Sequence, residues 1–305
     1  MTIREARSWG RDFLTKSPTP ELDADVLLMA VTGRDKTALL FKGGEVLSPE
    51  EEEDFRAYIQ ARSTGLPVAY ISGHKEFYGY DFLVTPDVLI PKPDTELLVE
   101  KALSVIREKL SAKKGRILTL CDMCTGSGCV GISVARAAWD EGLVIRENAL
   151  ALTLCDISQA ALDLARTNAD RLCPPALREK VRLVRTNLFQ AVTGAFDIIT
   201  ANPPYIPAGE VEELLADGRN EPRLALNGDI DLFGNATGEG DGLGVMRNLV
   251  PQAAGQLAPA GALLVEAGEY NAEMTEYLFR EAGLLDTGIE RDLSGQLRCV
   301  YGRKL

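Results

Sequence analysis

Three short stretches combine residue types that can hold a small molecule and act on it: CDMCTGSGCVG (residues 121–131), TLCDIS (153–158) and TANPPYIP (200–207). In the first, Gly126 and Gly128 follow an apolar run. They let the backbone turn tightly and approach a ligand with no side chain in the way, and the helix start behind them offers free N–H groups. A glycine turn of this kind is common between a strand and a helix, so alone it is a weak signal for a nucleotide-like ligand. Asp156 ends the next apolar run, thirty residues after Gly126. An acid at that strand tip is placed to accept hydrogen bonds from both hydroxyls of a ribose beside the glycine turn. It could equally cap the helix that follows, although Ser158 can take that task.

Asp122 refines the ligand. A dinucleotide would want a GxGxxG-type turn to admit its pyrophosphate, but a carboxylate just before the glycine turn would repel a pyrophosphate and attract an ammonium group. A ribose-bearing ligand with a cationic amino-acid tail fits, and S-adenosylmethionine has that description.

The third stretch closes the apolar run FDIIT with Asn202, Pro203, Pro204 and Tyr205. Open α/β sheets bind ligands beyond the carboxyl ends of their strands, and this is such an end. Asn202 offers an amide oxygen. The prolines fix φ and cannot continue the strand, so the Pro203 carbonyl is freed as a second acceptor, and Tyr205 can stack on a flat group. Two acceptors and an aromatic face suit a planar –NH₂ substrate. An amide nitrogen is a poor nucleophile; acceptors on its two hydrogens raise its electron density, aim it at a sulfonium methyl group and stabilise the charge that develops. A plain strand-to-loop turn would also accept two prolines, but has no use for all four residues beside a glycine turn and a ribose acid.

Other chemistries fit less well. Cys121 and Cys124 have the spacing of a zinc pair, but no second close pair exists and the only histidine, His74, lies elsewhere, so no metal site is expected. The acids of NGDIDLFGNATGEGDG (227–242) do not follow the EF-hand pattern, and that segment reads as a long mobile loop. The six cysteines lack the spacing of a secreted framework and are expected to be reduced. A formal net charge of −12 argues against a broad grip on nucleic acid. No run of eighteen apolar residues and no signal-peptide core occurs, so the expected location is cytoplasmic.

The elements that must position these groups follow from periodicity. Residues 2–72 read as short amphipathic helices: TIREARSWGRDFL, PELDADVLLMAVTG with a stop at Gly33, and SPEEEEDFRAYIQARSTG, whose first-turn acids favour the helix dipole. KEFYGYDFLVTPDVLIP changes to a β-hairpin pattern around Gly79. A helix follows over PDTELLVEKALSVIREKL. From residue 115 strand-like and helix-like segments alternate and end with two strands, LLDTGIERDL and LRCVYGRK. This implies an α/β doubly wound sheet, made mixed by a closing hairpin with an antiparallel edge.

Taken together, LIPKPDTE, PVAYISGHKEFYGYDFLV, CDMCTGSGCVGISVA, CDIS, TNLF, ANPPYIP, EPRLAL, GDGLGVMRNLV and GQLRCVYG resemble the PrmC/HemK protein-(glutamine-N5) methyltransferases from about residue 20 to the end. The resemblance implies a Rossmann-like class I S-adenosylmethionine-dependent methyltransferase domain with a mixed seven-stranded sheet over residues 94–305. It also implies a release-factor-binding helical bundle over 1–72 and a β-hairpin linker over 73–93. The implied reaction methylates the side-chain amide of the glutamine in the Gly-Gly-Gln motif of class 1 peptide-chain release factors and yields S-adenosylhomocysteine. Asp122, Cys124, Thr125, Gly126, Ser127, Gly128, Asp156, Asn187, Leu188 and Asn202 would hold the cofactor. Asn202, Pro203, Pro204 and Tyr205 would bind the glutamine, with Asn202, Pro203 and Tyr205 catalytic. Leu188 stands where relatives often carry tryptophan, and would offer less area to the adenine. Lys92 stands where arginine is usual, and the 227–242 loop is longer than in many relatives. A monomer is expected. The competing readings are an amino methyltransferase acting on adenine or guanine in nucleic acid, lowered by the acidic charge and by LIPKPDTE, and an inactive methyltransferase-like binding protein, which intact motifs disfavour.

Overall fold

The computed structural model describes residues 1–112, 117–144, 149–216, 218 and 220–305. Gly115 and Arg116 of the expected first strand, and Asp217 after EVEELLA, lie outside the described residues. The chain divides into two compact units, Met1–His74 with Val84–Pro86 and Glu213–Asn220, and Lys75–Leu83 with Asp87–Glu212 and Glu221–Leu305.

The first unit holds α1 (Ile3–Phe13), α2 (Pro20–Thr32), α3 (Lys36–Phe41), α4 (Pro49–Ser63) and α5 (Val68–Ser72). The stop and start signals act as their chemistry demands. Gly33 ends α2 at φ +64°, and Ser48 and Glu51 form a reciprocal cap at the start of α4. Ile3, Leu27, Leu28, Phe55 and Ile59 close a small apolar core. Two buried acids are paired within it: Asp25 takes a two-pronged contact from Arg7 at 2.6 and 2.8 Å, and Asp23 takes Arg62 at 2.6 Å. Helices α3 and α5 are additions to the sequence reading; each is too short to show a period.

The hairpin pairs β1 (His74–Phe77) with β2 (Tyr80–Leu83). Its two turn residues, Tyr78 and Gly79, both have positive φ (52° and 75°), the twist that a two-residue hairpin turn requires.

A single 3₁₀ turn (Pro93–Thr95) leads into α6 (Glu96–Ala112), followed by β3 (Ile117–Met123), α7 (Cys129–Asp140), β4 (Ala149–Asp156), α8 (Gln159–Leu172), α9 (Pro175–Arg178) and β5 (Val181–Arg185). Then come β6 (Phe196–Ala201), α10 (Ala208–Leu215), a second 3₁₀ turn (Arg223–Ala225), α11 (Gly244–Gln256), β7 (Leu257–Glu266), α12 (Ala272–Glu281), β8 (Leu285–Arg291) and β9 (Leu297–Arg303). The sheet is seven-stranded in the order β5-β4-β3-β6-β7-β9-β8. Strand period 2 separates its two cores. Leu118 and Leu120 face α6, α7 and α8, whereas Cys121 and Met123 face the side covered by α11 and α12.

All pairings from β5 to β7 are parallel, and β9 runs antiparallel to both its neighbours. The closing strands form the expected hairpin, yet the antiparallel strand sits one place in from the edge. The reason is burial: Cys299 and Val300 on β9 are enclosed, while β8 (LDTGIER) is polar and stays half exposed. Among the described residues no helix is long and apolar enough to cross a membrane.

Candidate active site

The strand order reverses between the parallel strands β3 and β6, the place where an open α/β sheet leaves a crevice at its strand ends. The register fixes what lines it. Met123 pairs with Cys155 and with Ala201, and Ala201 pairs with Val265. The residues one step further, Asp156, Cys124, Asn202 and Glu266, therefore stand side by side across four strand ends.

After β3 the chain turns through Cys124 (φ 59°), Gly126 (φ 54°) and Gly128 (φ 82°) into α7. The positive φ at Gly128 favours glycine, and a Cβ there would also press on the Ile132 side chain. Thr125 N–H donates to the Cys155 carbonyl at 3.0 Å and Gly128 N–H to the Thr125 carbonyl at 2.8 Å. Ser127 is buried beneath the turn, and its carbonyl accepts from Asn168 at 2.9 Å.

Asp156 clamps this turn. Its Oδ2 accepts from Gly126 N–H and its Oδ1 from Ser158 N–H, both at 2.9 Å. Ser158 caps α8 through the Ala161 N–H, so Asp156 is not the cap. A carboxylate has about four acceptor positions, so acceptor capacity remains beyond the Gly126 and Ser158 contacts, with the Ile157 backbone also favouring the charge. Burial pushes its pKa up, against the backbone donors that pull it down.

Asp122 is held by the strands and the turn around it. Its side chain is buried, Oδ2 accepts from Thr125 Oγ1 at 2.6 Å and Gly131 N–H at 3.1 Å, and Oδ1 accepts from Thr200 Oγ1 at 2.8 Å. So enclosed, it ties β3, β6 and the glycine turn together. Burial raises its pKa to about 6.

Asn187 and Leu188 follow β5. Asn187 Nδ2 donates to the Leu232 carbonyl at 2.5 Å, and Leu188, at φ 47°, is buried in the apolar cluster that also packs Cys124. The 227–242 segment is laced by its own acids: Asp229 is buried and accepts from Ala208 N–H (2.8 Å) and Gly242 N–H (2.7 Å), and Asp241 pairs with Arg247. Lys92 Nζ donates to the buried Glu221 at 2.8 Å, a single-point contact where an arginine would offer a fork.

Asn202 is half-buried, and its Nδ2 donates to Thr95 Oγ1 at 3.3 Å. Pro203 is buried and Pro204 half-buried. The Tyr205 hydroxyl donates to Glu266 Oε1 at 3.0 Å, and its carbonyl accepts from Tyr270 Oη (3.1 Å) and Asn271 Nδ2 (3.0 Å). Burial beside Glu266 pushes the phenol pKa well up, so it stays a donor. Gly228 and Gly242 back this segment: a Cβ on Gly228 would fall 2.1 Å from the Gly242 carbonyl oxygen, and one on Gly242 equally close to that of Tyr205.

Thr95 and Glu266 are functional candidates beyond the sequence reading. Thr95 lies inside LIPKPDTE. Glu266 carried the same signal as Asp156, an acid ending an apolar run, and only the register places it beside Asn202.

Residues 5–73 match the PrmC N-terminal domain and residues 98–236 the methyltransferase small domain. Among relatives, the release factor glutamine methyltransferase of Bradyrhizobium diazoefficiens is 38% identical over 290 residues, covering 93% of this chain and 88% of its own. That of Bordetella pertussis is 35% identical, covering 96% and 98%, and that of Geobacter sulfurreducens is 34% identical, covering 99% and 96%. Likeness of this degree over most of both lengths establishes that the chain belongs to the release factor glutamine methyltransferase family.

Proposed function

We propose that the protein transfers a methyl group from S-adenosylmethionine to the side-chain amide nitrogen (N5) of the glutamine in the Gly-Gly-Gln motif of class 1 peptide-chain release factors. The observation that carries this reading is the row of strand ends in which Asp156 keeps open acceptor positions and Asn202 has its –NH₂ engaged by Thr95, leaving Oδ1 to accept.

The crevice suits a cationic ribose-bearing cofactor. Asp122, Asp156 and Glu266 are carboxylates whose burial raises their pKa values, and a nearby positive charge would relieve that cost. In this reading Asp156 takes the ribose hydroxyls, the backbone and side chains of Cys124, Thr125, Gly126, Ser127 and Gly128 shape the floor, and Asn187 and Leu188 border the adenine. Asp122 holds the turn in place. S-Adenosylmethionine, when bound, supplies an electrophilic methyl group on a sulfonium.

Asn202 Oδ1 and the Pro203 carbonyl accept the two hydrogens of the glutamine amide. They orient its nitrogen and stabilise the positive charge that grows on it, and Pro204 and the Tyr205 ring cover its plane. The bond from Tyr205 to Glu266 fixes that ring before substrate arrives. The amide proton leaves to solvent after transfer. Residues 1–72 present the surface for the release factor, 73–93 form a linker and 94–305 the catalytic part. The protein acts as a cytoplasmic monomer, and its net charge of −12 speaks against nucleic acid as a direct substrate.

Incubation with radiolabelled methyl donor and either a release factor or total RNA and DNA tests this. Label in the release factor is expected; label only in nucleic acid overturns the reading.

A further inference from the structure

The antiparallel register of β7 and β9 sets Glu266 opposite Cys299, and the Ala267 N–H donates to the Arg298 carbonyl at 2.9 Å. The loop that leaves β7 and the turn that enters β9 therefore emerge side by side, at the same end of the sheet as Asn202. Both present apolar side chains to solvent. Leu293, at the tip of the β8–β9 turn, is fully exposed, and Tyr270, just past β7, is 58% exposed. Met274 and Tyr277 are half exposed and follow Tyr270 at the i+4 and i+7 spacing of one helix face, whereas Ala272, Thr275 and Phe279 turn another face of α12 to the core.

These side chains stand on braced backbone. Asp292 Oδ1 accepts from Ser294 N–H at 2.9 Å and Gln296 N–H at 3.0 Å, and Oδ2 takes the Arg298 guanidinium at 3.0 and 3.1 Å, so the turn holds Leu293 outward. The Tyr270 hydroxyl donates to the Tyr205 carbonyl at 3.1 Å. Gly268 packs against both rings: a Cβ there would meet Tyr270 at 3.1 Å and Tyr205 at 3.3 Å. The exposed apolar side chains are thus continuous with the substrate subsite. Their surroundings are acidic, since Glu269 and Glu273 are exposed and the one cation of α12, Arg280, is engaged by Glu276.

A glutamine that enters this crevice arrives on a polypeptide, and its neighbours in that chain must cross the rim. From Tyr270 to Tyr277 the chain rises about 10 Å, the length of roughly three extended residues. Large apolar side chains gathered at such a place mark a contact surface. We propose that Leu293, Tyr270, Met274 and Tyr277 form a docking shelf for the release-factor polypeptide that flanks the target glutamine, a segment with apolar side chains and a basic residue facing Glu269 and Glu273. The inference rests on the glutamine-methylation reading above.

The test uses Leu293→Gln combined with Met274→Gln, two exposed positions where the change removes apolar surface and little else. Methyl transfer to a release factor is measured as kcat and KM, with calorimetric titration of S-adenosylhomocysteine alongside. The double variant should raise KM roughly 10- to 100-fold, with kcat and cofactor Kd each within about twofold of wild type. Leu293→Met, which keeps the apolar contact, should stay within about threefold. Glu269→Lys with Glu273→Lys should raise KM at low salt and lose most of that effect at high salt. A double variant with wild-type KM, or one that loses kcat or cofactor affinity while KM holds, would overturn the proposal. So would a wild-type dimer in sedimentation that the double variant turns into a monomer, because a second copy would then cover the shelf. Wild-type transfer in the same assay tests the function, and the variant ratios test the shelf.

Discussion

Replacing Asp156 with asparagine keeps the shape of the side chain and changes its hydrogen-bonding capacity, and the structure says by how much. The carboxylate receives Gly126 N–H and Ser158 N–H, one on each oxygen, at 2.9 Å. An asparagine has one oxygen and one –NH₂, so one backbone donor must face another donor. A hydrogen bond to a charged group contributes about 1.5–3 kcal/mol, and here its loss is partly offset because the buried charge disappears. The net effect on unfolding free energy should stay below about 2 kcal/mol. Cofactor binding has no such offset. One of the two acceptor positions proposed for the ribose is lost together with the charge, so Kd should rise roughly 10- to 100-fold. Calorimetric titration of S-adenosylhomocysteine measures this, with urea unfolding as the control. At saturating cofactor the variant should keep most of its kcat, because Asn202 and Tyr205 are untouched. A Kd within twofold of wild type would refute the assignment of Asp156 to the ribose.

Gly228→Ala would drive a Cβ against the Gly242 carbonyl, which is backbone and cannot rotate away. A cost of about 3 kcal/mol in urea unfolding is expected, with displacement of Tyr205 visible as a fall in kcat larger than any change in cofactor Kd. For Asp122 the folded pKa is raised from the ordinary 3.8 to about 6, so between those values the folded protein holds a proton that the unfolded chain releases. Its contribution to stability is therefore present at low pH and lost as pH rises through this window, by about 2–3 kcal/mol. The pH–stability profile of wild type minus that of Asp122→Asn should fall across the window; a rising difference would contradict the burial argument.

Much of the fold is legible in the sequence because the signals are local. Gly33, Ser48 and Glu51 act at one helix end each, and the alternation of apolar runs with amphipathic segments dictates a covered parallel sheet. What was not legible depends on which strands become neighbours. No local pattern says that β7 lies beside β6, so Glu266 could not be joined to Asn202, and Thr95 had no visible partner 107 residues away. The same limit applies to Asp122. The sequence shows an acid before a glycine turn, but the three donors that consume it come from Thr125, Gly131 and Thr200, two of them helix or strand residues packed onto it. The 227–242 segment is the loop its composition indicates, but what fastens it was not legible. Its composition is that of a loose loop, yet Asp229 and Asp241 direct their carboxylates at backbone N–H groups and Arg247, and Asn187 fastens Leu232.

The central claim, that Asn202 presents an acceptor to a release-factor glutamine, is tested most directly by mass spectrometry of the release factor after incubation with S-adenosylmethionine. Wild type should add one methyl group, located by fragmentation on the glutamine of the Gly-Gly-Gln motif. Asn202→Ala should reduce this roughly 100-fold or more while binding S-adenosylhomocysteine as wild type does. Methylation at another residue, or an Asn202→Ala variant that transfers at the wild-type rate, would contradict the account.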